Sequence, residues 1–222
     1  GRLLRCARND MGQRTRDDIG RIELWVGARY AVPLPLRLTI EQAIMAVPRT
    51  GRFQVIRSFN GKTPRVADSA FISEAAYIIG DVEIGEHSNV WPGAVIRGDF
   101  AAIKIGSYVD IEDNCMLHAG NDMEISDRVI VGHGAVVHSR KVGSRVLIGM
   151  NATTLHNSEV GDYCIIAAGS VVTEGMIIPP GSFVVGVPAK VKGPVTEKQK
   201  GWMEGHESFY PNLAKQYKKE GL

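Results

Sequence analysis

The 222-residue chain reads as an all-β solenoid, a left-handed parallel β-helix of hexapeptide repeats followed by a C-terminal α-helix. Three observations predict this. An aliphatic residue opens nearly every block of six from Val66 onward. The fifth residue of each block is often small and the second is often glycine. After Lys190 the period of six gives way to helical spacing.

The repeat is the strongest signal. Val66, Ile72, Ile78, Ile84, Val90 and Ile96 hold one phase. The phase resumes at Ile105, Ile111 and Leu117, and again at Ile125, Val131 and Val137. From Val142 it runs unbroken through Ile148, Thr154, Val160, Ile166, Val172, Ile178 and Val184, with Thr154 the only non-aliphatic residue. A period of six is neither helical nor a simple strand alternation. It suits a triangular prism, with one block per face and three blocks per coil. Each aliphatic side chain then points inward and stacks on its counterpart one coil away, at a strand spacing of about 4.8 Å. Small fifth residues such as Ala94 and Cys115, and second-position glycines such as Gly106 and Gly132, are expected at tight corners. Interruptions at 100–104 and 119–124, and a one-residue contraction between Val137 and Val142, are expected to mark loops beside a functional site.

The repeat region is assigned to residues 51–192 and the C-terminal helix to 193–222. Trp202, His206, Phe209, Leu213 and Tyr217 recur at about 3.6-residue spacing, predicting an amphipathic helix packed on the prism. Thr196 is a candidate N-cap, and Pro211 predicts a kink or break near Tyr210. Residues 1–50 carry nine Arg, no Lys and five acids, a net charge of +4, and are read as an extension outside the fold. A short helix is expected over 38–46.

The whole-chain charge of +2 gives no reason to invoke nucleic acid. No apolar run approaches the length of a membrane span, so no membrane partner is expected. Cys6, Cys115 and Cys164 lack framework spacing, which suits a reducing compartment and a cytoplasmic location. The alternative is mitochondrial, should the Arg-rich start be a transit peptide, although Asp10, Asp17, Asp18 and Glu23 weigh against it.

Chemistry concentrates in three of the six histidines. His118 and His138 both take the second position of their blocks. Their separation is one coil plus a two-residue insertion, which stacks them on one corner, facing outward. Imidazoles so placed can share a metal ion, at roughly 2.0–2.1 Å each. His133 takes the third position of its block and falls on a different face. It can join the other two only if a neighbouring subunit presents it, and three such sites close a ring with threefold symmetry. Three histidines with one open position form the catalytic pattern for Zn²⁺, though Fe²⁺ or Co²⁺ suit the same ligands. His87, His156 and His206 are read as solvated surface residues.

In VWPGAVIRGD (90–99), IEDNCMLH (111–118), VGHGAVVH (131–138) and IPPGSFVVGVPAKV (178–191) the chain resembles the γ-class carbonic anhydrase family, over about residues 52–220. The resemblance implies that His118, His133 and His138 ligate the metal between two subunits of a homotrimer. It implies reversible hydration of CO₂ to bicarbonate. It gives Arg97 and Asp99 the role of an ion pair that holds the site, and Asp113 the role of ordering it. Glu112 stands where the family commonly has a glutamine that orients the reacting hydroxide, and Asp110 stands where asparagine is common. The stretch AGNDMEIS (119–126) is short, which places the chain near the short-loop subgroup. Tyr210 is a candidate for the pocket wall. Two other readings stay open: an acyltransferase, since many hexapeptide β-helix proteins transfer acetyl groups from coenzyme A, and a metal-binding structural subunit of a larger assembly.

Overall fold

The computed structural model describes residues 55–206 and 209–221. The expectations for residues 1–50, including the helix over 38–46 and any transit function, lie outside the described residues.

Parallel strands wind into a three-faced solenoid of seven coils. On the first face the stacked inward residues are Ile56, Ile78, Ile96, Leu117, Val137, Thr154 and Val172. On the second they are Val66, Ile84, Ile105, Ile125, Val142, Val160 and Ile178. On the third they are Ile72, Val90, Ile111, Val131, Ile148, Ile166 and Val184. The sixfold aliphatic pattern is therefore three interior ladders, and most of these side chains are fully buried. Burying each contributes about 1.5–3 kcal/mol relative to exposure. The first face begins earlier than the repeat suggests, at Ile56.

The glycines work differently from expectation. Left-handed backbone falls on the fourth residue of the block, as in His87, Tyr108, Arg128, Arg145 and Tyr163 at one corner and Gly93, Asn114, Gly134, Asn151 and Gly169 at another. The second-position glycines are not left-handed. Gly132 is needed because a Cβ there would lie 2.9 Å from the Met150 backbone nitrogen, one coil away.

Nor is the 100–104 interruption a loop. Residues 95–105 form one continuous strand that crosses a corner, paired with Tyr77–Ile84 through a register shift that accommodates the extra residues. This joins the first and second faces into a single sheet. Residues 119–122 do leave the strand pattern. On the second face, Arg65, Glu83, Lys104, Glu124, Lys141 and Glu159 follow one another in register, with alternating charge. That pattern marks a self-neutralising solvated face.

The expected C-terminal helical segment follows, described in two spans. The first spans Glu197–His206 and the second Phe209–Glu220. Thr196 caps the first: the Gln199 N–H reaches Thr196 Oγ1 at 3.3 Å, and the Thr196 N–H reaches Gln199 Oε1 at 2.8 Å. Pro211 sits in the first turn of the second helix, where its missing N–H costs nothing. The packed seam also differs from the expected one. Trp202 and Phe209 are 49% and 56% exposed, and the His206 side chain lies outside the described residues. Met203 packs the first helix against Ile165 and Val195, while Tyr210, Leu213, Ala214 and Tyr217 pack the second against Phe71 and Trp91. Among the described residues no helix is long and apolar enough to cross a membrane.

Candidate metal centre

The strand register places His118 on the first face directly after Leu117, opposite Arg97 one coil before. The pairing of Val137 with Leu117 brings His138 alongside, and the two rings lie 5.3 Å apart, nearly edge to face. Both side chains are half-buried and outward. Arg97 grips Asp99 Oδ2 through Nη2 at 2.9 Å and Nε at 3.0 Å, and Asp99 Oδ1 lies 3.1 Å from His118 Nε2. Burial works against the Asp99 charge, but the hydrogen bond and charge of Arg97 outweigh it, so the carboxyl sits below its ordinary range. Burial, followed by the charge of His118, holds His138 below the usual imidazole value. That favours the neutral ring a metal ligand needs.

His133 belongs to a second cluster. Its Nε2 lies 3.2 Å from Glu112 Oε2 and its Nδ1 lies 3.1 Å from Asp113 Oδ2. Its backbone N–H also donates to Glu112 Oε2 at 2.7 Å. Tyr210, from the second helix, donates its hydroxyl to Glu112 Oε1 at 2.5 Å. Burial, then this bond and the Glu112 charge, raises the Tyr210 phenol. Behind the cluster, Trp91 Nε1 donates to Asp110 Oδ1 at 2.7 Å, while Asp110 Oδ2 is buried with no partner among the described residues. Burial pushes Asp110 well above the ordinary carboxyl range despite the Trp91 bond, and the charges of Glu112 and Asp113 add to the rise.

The sequence-predicted residues thus separate into two groups on different faces. Arg97, Asp99, His118 and His138 form one group, and Glu112, Asp113, His133 and Tyr210 the other. Among the described residues no hydrogen bond, ion pair or ring contact joins them, and no three potential ligands of the chain converge on one point. Cys115 and Cys164 are buried and free of disulfide. Cys115 gives its thiol to backbone carbonyls, and burial pushes it up to about 12, so it is inert filling.

Sequence reasoning missed His156. It is no solvated bystander: its ring lies 5.3 Å from that of His138, with the two Nδ1 atoms 3.4 Å apart. The signal was hidden by the contraction after Val137, which pairs Val137 with Thr154 and leaves His156 one residue out of phase with His138.

The donor set suits a divalent metal: His118 and His138 stand side by side, and His118 and His133 have carboxylates beside their ring nitrogens. Comparison with known proteins gives the family. The family model described as bacterial transferase hexapeptide (six repeats) matches residues 63–98 and 141–174. A carbonic anhydrase of Geobacillus kaustophilus is 42% identical over 166 residues, covering 74% of this chain and 91% of that protein. A mitochondrial γ carbonic anhydrase 2 of Arabidopsis thaliana is 34% identical over 171 residues, covering 73% of this chain and 62% of that protein. Among solved structures, a hexapeptide transferase family protein from Anaplasma phagocytophilum superposes with a TM-score of 0.71 at 33% identity, over 73% of this chain and 98% of that one. By these similarities and its repeats, the chain belongs to the γ-class carbonic anhydrase family.

Proposed function

We propose that the protein is a metal-dependent carbonic anhydrase that reversibly hydrates CO₂ to bicarbonate as a homotrimer, with each active site at a subunit interface. The observation that carries this reading is the division of the histidines. His118 and His138 stand together, ring to ring, while His133 stands on another face among carboxylates. Two ligands from one subunit and one from the next complete a three-histidine site, and a ring of three subunits repeats it without loose ends.

His118, His133 and His138 would hold the ion, with Zn²⁺ the first choice for three imidazoles. A zinc ion there supplies a Lewis acid that lowers the pKa of water to about 7. The chain's own groups do the rest. Arg97 and Asp99 fix the His118 ring by an ion pair and a hydrogen bond. Asp113 takes the His133 Nδ1 side and orients the ring. Glu112 is fastened by Tyr210 and by the His133 backbone, so its Oε2 is a stationary acceptor beside the third histidine. A buried carboxylate in that position orients or accepts a proton, the part that the family's glutamine performs by hydrogen bonding alone.

Stopped-flow CO₂ hydration tests the reading, on protein loaded with Zn²⁺ and, anaerobically, with Fe²⁺. A rate above buffer that disappears in His133→Ala supports it. Absence of any rate with either metal removes the enzymatic claim. Acyl transfer, the alternative suggested by the transferase-like solved structure, needs no bound metal, so metal content near one ion per chain discriminates between the two.

A further inference from the structure

His118 and His138 continue into a third ring. His138 Nδ1 faces His156 Nδ1 at 3.4 Å, Asn121 Nδ2 lies 3.5 Å from His156 Nε2, and Asn121 Nδ2 donates to Asn157 Oδ1 at 3.0 Å. Asn121 belongs to the short segment that leaves the coil after His118, so the interruption is what brings it here. Gly120 is part of the same arrangement. A Cβ on Gly120 would stand 2.8 Å from His156 Cε1, so the small residue makes room for the ring.

The chain His138–His156–Asn121–Asn157 has two self-consistent hydrogen-bond directions, since amide oxygen and nitrogen are interchangeable by rotation. Each direction leaves one proton on each ring. In one, His156 donates from Nδ1 and the proton of His138 rests on Nε2. In the other, with the Asn121 and Asn157 amides turned over, His138 donates from Nδ1, His156 accepts there, and His156 donates from Nε2 to the Asn121 carbonyl. Only the second leaves His138 Nε2 with a free lone pair. Ligating histidines characteristically give their other N–H to a carboxylate, backbone carbonyl or water, and loss of such a partner costs about 10–100-fold in metal affinity.

We propose that His156 is a positioning residue for the metal site, accepting the Nδ1–H of His138 and so reserving Nε2 of His138 for the ion. The proposal rests on the assignment of His138 as a ligand and deepens it.

The test measures Zn²⁺ affinity by chelator competition on the full chain, for wild type, His156→Leu, His156→Asn and His138→Ala. Thermal melts confirm folding of each variant. The expected result is a fall of about tenfold or more in His156→Leu, with recovery to near wild type in His156→Asn, whose side chain places an acceptor where Nδ1 was. Long-range ¹H–¹⁵N spectra of the Zn²⁺-loaded wild type should show His138 protonated at Nδ1 and His156 at Nε2. The proposal is overturned if His156→Leu keeps wild-type affinity, if Leu and Asn weaken binding equally, or if His156 carries its proton on Nδ1. Undiminished affinity in His138→Ala overturns the ligand assignment itself, a result separable from the others.

Discussion

Glu112 Oε2 accepts the backbone N–H of His133 at 2.7 Å, so the carboxylate ties down the turn that carries the third histidine. Its other oxygen accepts from Tyr210. Both oxygens are thus acceptors. Glu112→Leu removes both acceptors at similar volume and is therefore expected to lose about 1–3 kcal/mol of stability, measured by chemical denaturation. An unchanged midpoint would show that the bonds contribute nothing.

Tyr210→Phe keeps the packing on Trp91, whose ring centroid lies 5.7 Å away, and removes only the hydroxyl. A loss of about 1–2 kcal/mol is expected, with faster hydrogen exchange confined to the second helix. Unchanged protection across that helix would show that the apolar cluster alone holds it.

Asp110 gives a pH-dependent prediction. Its folded pKa lies above its unfolded one, so between the two the folded chain holds a proton that the unfolded chain has released. Stability contributed by this group is complete at low pH and is lost as pH rises through that window. Asp110→Asn removes the ionisable group and keeps an oxygen for Trp91. Its gain in Tm over wild type should be larger at pH 8 than at pH 4. A gain independent of pH would contradict the burial argument.

Thr154 is the polar rung of an apolar ladder, and its Oγ1 is buried with no partner among the described residues. Thr154→Val should raise stability by about 1–2 kcal/mol in urea denaturation, because it removes an unsatisfied hydroxyl while keeping the branched shape. A loss of stability would mean that the hydroxyl has a partner.

The prism was readable because its cause is local and repeated. Each inward aliphatic residue pairs with its like one coil away, so phase in the sequence is position in space. Ile96 over Leu117 over Val137 follows directly from counting. The same count placed His118 beside His138. It failed at His156, where the five-residue step after Val137 breaks the phase. The helix seam was misread because Trp202 and Met203 are neighbours in sequence and only the fold decides which one faces the coil. The anchoring of Glu112 by Tyr210 spans 98 residues and has no periodic signal to announce it.

The central claim is that one site takes residues from two subunits, and subunit mixing tests it most directly. His118→Ala and His133→Ala are each expected to lack bound Zn²⁺ and CO₂ hydration. Denatured together and refolded, they should form mixed trimers in which some interfaces pair an intact His118 and His138 with an intact His133. The account predicts that Zn²⁺ content and hydration reappear in the mixture. A mixture that assembles into mixed trimers yet stays as empty and inactive as either variant alone would contradict it.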